Sequence, residues 1–383
     1  MKVIKLSKSL VIDDIFSLKE GHSYVCSDYI IKQIMRGHSL SMGNIEEIDK
    51  YYHKYDGQDL TNKKLLVWRS GGIGDLLFIT PTLQYIKDTY PGVQIRVACS
   101  SKYLDLWHRH PLIFDGHAFP MPFDLDLMLW ADYHLHFEGA IETGGRAEYI
   151  HAVDLFSEYF NLADCIATEK RRPIVPDCDE LDNKMRNILK YTMGIDVSKK
   201  IILVQFRASA PIRTFPERRT MEIAIRLAEP GRNVIIVDHP NSASRINDYL
   251  KLMDNPPGIF NGAAHVRNIR ETIALIKKSA LLIAPDSSLT HIAGAINIDI
   301  PTLAIYGPFP SKVRTAYYPK CVAIDAYYKP NGSKGCAGTP CFTHGHDACI
   351  EAKRLGTGVE SPCFSNIKNK TILYLAERIL EVA

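Results

Sequence analysis

Apolar residues in this chain fall into short unbroken runs separated by amphipathic stretches, and the alternation predicts the architecture. LLVWRS (Leu65–Ser70) is apolar without helical periodicity, the pattern of a strand buried on both faces. A tight SGGIGD turn follows, and LLFITPTLQYIKDTY then reads as one helix ending near Pro91-Gly92. QIRVACS (Gln94–Ser100) and YHLHFEG (Tyr133–Gly139) repeat the strand pattern, and AEYIHAVDLFSEYF predicts an amphipathic helix. Further on come strands at IILVQF, NVIIVDH, GIFNGA, ALLIAP and TLAIYG, with MEIAIRLAE and IRETIALIKKS as helices between them. Alternating strands and helices mean βαβ units and parallel sheets.

The expected fold class is therefore α/β, with two Rossmann-like doubly wound domains facing a cleft. Residues 1–60 form an N-terminal extension, a small mixed unit with Tyr51, Tyr52 and Tyr55 and no chemistry-bearing spacing. Residues 61–175 make the first Rossmann-like domain and 176–370 the second, with a terminal helix over 371–383. RRPIVPDCDELD (Arg171–Asp182), with two prolines and a run of charges, reads as the linker.

Composition narrows the class. A chain of 383 residues with 46% hydrophobic and 23% charged residues is an ordinary globular protein, long enough for two cores. The net charge of +3, from 46 basic and 43 acidic side chains, gives no support for broad nucleic-acid binding, although a local basic patch is not excluded. The N-terminal residues break their apolar run with charges, and no apolar run approaches the roughly 20 residues that span a bilayer. A cytoplasmic protein is expected. Nine scattered cysteines, an odd number, fit a reduced compartment.

Gly71 to Asp75 join a strand to a helix, which gathers free backbone N–H groups at one point. Glycines there permit positive φ and close approach of a ligand. A dinucleotide fingerprint fails: counting from Gly72, its third glycine falls at Leu77, and Cys99, Ser100 and Ser101 follow the next strand where an acidic residue is required. Asp75 has two readings. It is a first-turn carboxylate favoured by the helix dipole, or a general base at the strand edge where ligands bind.

APDSSLTH repeats strand, polar turn and helix. Asp286, Ser287 and Ser288 stand at N-cap and first-turn positions, and His291 shares the face of Ser288. These groups offer a cradle for a diphosphate, or equally a capping box with a satisfied histidine. Arg207, Ser209 and Arg213 lie in the loop after the first strand of the same half, where an anion would be met.

LLVWRSGGIGDLLFITPTLQYIKDTYPGVQI resembles the N-terminal signature of lipopolysaccharide heptosyltransferase-like glycosyltransferases, family 9, of GT-B fold. LLIAPDSSLTHIAGAINIDIPTLAIYGPFP resembles their C-terminal signature. The resemblance implies Asp75 as catalytic base; Gly72 and Gly74 share its turn on the acceptor side, and Glu138, at the end of YHLHFEG, faces the same edge by topology, where it either binds acceptor or is solvated. It implies Asp286, Ser287 and His291 at the donor diphosphate with Arg213 near it, while Ser288, Arg207 and Ser209 are donor-side candidates from their positions in the same two loops. Arg213 stands where the family usually has lysine and Ser288 where it has glycine, which puts the identity of the donor in doubt.

Cys336, Cys341, Cys349 and Cys363 are spaced unlike paired zinc-ribbon cysteines, and read as plain thiols ahead of a structural metal or disulfides. Asp124 and Asp126 spell a D-x-D string of the kind that occurs by chance. The function implied is an inverting, metal-independent transfer with no required cofactor. The donor substrate is a nucleotide-diphospho-sugar, an ADP-sugar by family default. The acceptor is lipopolysaccharide or another glycan or glycolipid, which allows peripheral membrane contact. Alternatives are transfer to hydroxylated DNA bases, a nucleotide-sugar epimerase, or a non-catalytic nucleotide-sugar-binding protein.

Overall fold

The computed structural model describes residues 2–6, 10–12, 16–18, 23–26, 42–47, 51–118, 123–137, 139–141, 145–326, 336, 339–342, 349–356, 358 and 360–382. The chain divides into two compact units, Met1–Thr143 with Phe156–Ile166, and Gly144–Leu155 with Ala167–Ala383. Residues 171–182 lie in the second unit.

The first unit opens with strands β1 (Lys2–Leu6), β2 (Leu10–Ile12), β3 (Phe16–Leu18), β4 (Ser23–Cys26) and β5 (Met42–Glu47). The Rossmann-like part supplies β6 (Lys64–Trp68), β7 (Gln94–Cys99), β8 (Asp115–Ala118), β9 (Phe123–Asp124) and β10 (Tyr133–His136). A parallel sheet runs β10-β6-β7-β8, and an antiparallel one runs β5-β1-β4-β9. Thus β9 joins the N-terminal strands, pairing Phe123 with Val25 and Asp124 with Tyr24. The buried run Leu65 to Trp68 explains why β6 is central: each residue is fully covered, as a strand packed on both faces must be.

One difference from the sequence reading lies just after β6. The helix expected across LLFITPTLQYIKDTY is two helices, Ile73–Phe78 and Thr80–Thr89, separated at Ile79. Pro81 has no N–H to offer the carbonyl of Leu77, and the Thr80 hydroxyl donates to that carbonyl instead at 2.6 Å.

The second unit carries β11 (Lys200–Gln205), β12 (Arg232–Val237), β13 (Ile259–Asn261), β14 (Leu281–Pro285), β15 (Thr302–Tyr306) and β16 (Cys321–Asp325). All pair in parallel in the order β13-β12-β11-β14-β15-β16. This is the doubly wound order, whose direction reverses between β11 and β14. The helix Glu217–Leu227 buries Thr220, Met221, Ala224 and Leu227 at helical spacing against this sheet. The terminal helix Asn369–Val382 buries Ile372, Ala376 and Leu380, each large side chain contributing about 1.5–3 kcal/mol. Arg219 fastens its start, donating to Asn369 Oδ1 at 2.8 Å and to the Phe364 carbonyl at 2.7 Å.

Candidate functional site

In the first unit the parallel sheet reverses its winding direction between β6 and β10, so the loop after β6 stands at the carboxyl edge where α/β sheets meet ligands. Asp75 lies in the first turn of the helix Ile73–Phe78, with its side chain about one quarter exposed. Its Oδ2 accepts from the Gly72 N–H at 3.0 Å and from Arg69 Nη2 at 3.3 Å. Among the described residues its Oδ1 has no partner. The glycines act differently from expectation. Gly71, Gly72 and Gly74 are not among the positive-φ glycines. Gly71 is required because a Cβ there would stand 2.2 Å from Asp75 Oδ2 and 2.7 Å from Arg69 Nε. Gly72 is exposed with open space around it, and Gly74 is half-buried within the helix. Glu138 lies outside the described residues, as does the side chain of Asp124; Asp126 is exposed.

In the second unit, β11 and β14 flank the reversal, and the loops that follow them carry every donor-side candidate. Asp286 is not an exposed capping residue: its side chain is 2% exposed, and Ser287 and His291 are buried beside it. Ser287 occupies the N-cap of the helix Ser288–Ala295, but its hydroxyl donates to Gln205 Oε1 and makes no side-chain cap. Ser288 is half-exposed at the first helical position. Around Asp286 positive groups converge. Arg213 Nη1 donates to the Asp286 carbonyl at 3.2 Å and lies 3.8 Å from Oδ2, while His291 Nε2 lies 3.6 Å from Oδ1. Burial alone would push the Asp286 carboxyl up. The His291 ring and the guanidiniums of Arg213 and Arg314 outweigh that and hold it far below the usual carboxylate range.

The same arginine reaches outward. Arg213 Nη2 donates to Ser209 Oγ at 2.9 Å, and its Nε has no hydrogen-bond partner among the described residues. Arg207 turns away, donating to Asp238 Oδ2 at 3.3 Å and to Ser242 Oγ at 2.6 Å, at the end of β12. The candidates therefore form one tight group, Ser209, Arg213, Asp286, Ser287 and His291, with Arg207 one strand over. Behind them, Tyr318 OH lies 2.9 Å from His291 Nδ1, and its ring occupies the space a Cβ at Gly294 would need, 2.4 Å away. Gln205, Arg314 and Tyr318 escaped the sequence reading. Gln205 has a visible signal, a polar residue closing an otherwise apolar buried strand.

The late cysteines gather near Cys363, whose thiol is pushed up to about 12 by burial and then by Cys336, Cys341 and Cys349. Cys336, Cys349 and Cys363 are buried and Cys341 is exposed. Among the described residues, no group of three or more His, Cys, Asp or Glu is arranged to hold a metal ion. No helix among the described residues is long and apolar enough to cross a membrane.

Parallel α/β sheets in both units, the second in the full doubly wound order, are the fold of GT-B glycosyltransferase structures. The family model for glycosyltransferase family 9 (heptosyltransferase) matches residues 149–340, half of the chain, and the protein belongs to that family. Among solved structures, Escherichia coli ADP-heptose LPS heptosyltransferase II is 16% identical, with TM-score 0.62, over 84% of this chain and 100% of that one. A family 9 glycosyltransferase from Veillonella parvula is 14% identical, with TM-score 0.61, over 86% and 100%. The dodecameric iron-containing heptosyltransferase TibC of Escherichia coli, in complex with ADP-D-β-D-heptose, is 13% identical, with TM-score 0.54, over 100% of this chain and 92% of that one. No curated protein matches the chain.

Proposed function

We propose that this family 9 enzyme moves a heptose or related sugar from an ADP-sugar to a hydroxyl of a glycan or glycolipid, with inversion and without a catalytic metal, in the cytoplasm. The observation that carries the reading is Arg213, anchored on buried Asp286 at the reversal of the second sheet with its Nη2 turned to exposed Ser209. A guanidinium so fixed is pre-aimed at a diphosphate. Ser209, Ser287, Ser288, His291 and Arg207, with the free N–H groups opening the helix Ser288–Ala295, would complete the donor site.

In the transfer, Asp75 takes the proton from the acceptor hydroxyl, and Gly72, Gly74 and Glu138 line the acceptor side. The acceptor oxygen forms its bond to the anomeric carbon as the carbon–oxygen bond to the β-phosphate breaks. The electron pair of that bond leaves with ADP, where Arg213 meets the growing negative charge. Two heptosyltransferases of similar fold carry ADP-heptose in their descriptions, which supports the donor. The test is incubation with ADP-heptose and a glycolipid or glycan acceptor. ADP release should depend on that acceptor, and the product's anomeric configuration should be opposite to the donor's. Retention, or release that hydroxylated-base DNA alone stimulates, would contradict the reading.

A second reading is favoured by the gathering of thiols around Cys363. Burial and the neighbouring thiols disfavour a Cys363 thiolate, a cost that a bound cation would relieve, so Cys336, Cys341, Cys349 and Cys363 would have to draw together to hold a structural thiophilic metal, apart from the transfer chemistry. TibC, which aligns with the whole chain, is iron-containing. Metal analysis of the purified protein should find a stoichiometric ion that Cys363→Ser loses; a metal-free wild type would leave these residues plain thiols.

A further inference from the structure

The carboxylate of Asp75, about one quarter exposed, presents two oxygens, and the residues around it treat them differently. Oδ2 accepts from the Gly72 N–H at 3.0 Å and from Arg69 Nη2 at 3.3 Å. Oδ1 has no partner among the described residues. Arg69 is itself immobilised. It follows β6 directly, its backbone N–H donates to the Ala98 carbonyl at 3.1 Å, and its side chain is 2% exposed. Its Nη1 donates to the Phe137 carbonyl at 3.1 Å, and its guanidinium lies 5.5 Å from the centroid of the Phe156 ring. A buried guanidinium is costly, and here the carbonyl, the aromatic face and one carboxylate oxygen offset part of that cost.

We infer that Arg69 is a positioning residue that pins Oδ2 of Asp75 and so assigns Oδ1 as the oxygen that takes the acceptor's proton. The inference rests on the reading of Asp75 as the base. Three features act together. Arg69 and the Gly72 N–H hold one oxygen from two directions, which stops the carboxylate from rotating about its Cβ–Cγ bond. Gly71 leaves the gap through which the pair meets, since a Cβ there would overlap Asp75 Oδ2, Asp75 Cβ and Arg69 Nε, at 2.2, 2.8 and 2.7 Å. The remaining oxygen is left without a partner, as a proton acceptor requires. Lysine at position 69 would keep the charge but lose the planar fork that serves the Phe137 carbonyl and Asp75 at once.

The experiment compares Arg69→Lys, Arg69→Ala and Gly71→Ala with Asp75→Asn in steady-state transfer, with folding checked by thermal melting. Misplacing a reacting group by about 1 Å can cost about 100-fold in rate, so Arg69→Lys and Gly71→Ala should lower kcat by about that factor while leaving both KM values unchanged. Added guanidinium ion should restore part of the kcat of Arg69→Ala. A merely structural arginine would lower the melting temperature without this kcat loss or rescue. If the Arg69 variants do not fold, Gly71→Ala decides alone, because it displaces the carboxylate and keeps both charges. Wild-type kcat in folded Arg69→Lys or in Gly71→Ala, with Asp75→Asn inactive, would overturn this inference and leave the base reading standing. An active Asp75→Asn would instead overturn the base reading.

Discussion

Arg213 and Asp286 meet twice: the guanidinium Nη1 donates to the aspartate's own carbonyl at 3.2 Å and lies 3.8 Å from its carboxylate Oδ2. The two residues come from loops that follow adjacent strands, β11 and β14, at the point where the sheet reverses direction. Topology, more than proximity in sequence, makes this pair. The carboxylate fixes the arginine, whose Nη2 donates to the hydroxyl of exposed Ser209.

Arg213→Lys should therefore weaken the donor and spare the acceptor. A charge-assisted hydrogen bond to phosphate is worth about 1.5–3 kcal/mol, so KM for the ADP-sugar should rise about 10- to 100-fold with acceptor KM unchanged. Initial-rate kinetics with each substrate varied in turn check this.

Asp286→Asn tests the other partner. It leaves the guanidiniums of Arg213 and Arg314 facing a neutral amide in a buried setting, and breaking such a pair costs about 3–5 kcal/mol. Chemical denaturation should show a loss of that order, larger than the loss in Arg213→Lys, where a cation remains.

His151 gives a pH prediction. Burial, and then the Arg314 guanidinium, push its ring down to about 3, so it is neutral in the folded protein at pH 7. The unfolded ring, with an ordinary pKa of about 6.5, takes up a proton first as the pH falls. Stability is thus fully present above about pH 6.5 and is lost progressively as the pH drops towards 3. His151 Nδ1 also accepts from the Val153 N–H at 3.2 Å, a role that asparagine can fill at a helix start. His151→Asn should flatten the fall of melting temperature between pH 6.5 and 4; an unchanged slope would rule out this origin.

Much of this was legible along the chain because buried parallel strands announce themselves as apolar runs. All five strands expected in the second half are present, and the turn after ALLIAP and the loop after IILVQF do converge. Pairing at long range was not legible. Nothing in the two residues Phe123 and Asp124 declares that they will join β4, because antiparallel partners carry no sequence label and the strand is too short to show alternation. The burial of Asp286 was likewise hidden. Its position after a strand reads as a cap, and only the arginines and histidine brought in from elsewhere make a buried carboxylate tenable.

Gly294 offers a check on packing behind the site. The Tyr318 ring lies against it, with the hydroxyl 2.9 Å from His291 Nδ1, so Gly294→Ala would force the ring away and disturb the histidine. Overpacking of this kind typically costs about 1–3 kcal/mol, and the loss should appear in thermal melting together with weaker donor binding.

The central claim is that Asp75 removes the acceptor's proton while the second unit holds the donor. The measurement that tests it most directly is single-turnover transfer by Asp75→Asn, alongside calorimetric binding of the ADP-sugar to the same protein. Loss of a general base should slow transfer by about 100- to 10,000-fold with donor affinity unchanged. Transfer within a few-fold of the wild-type rate would contradict the account.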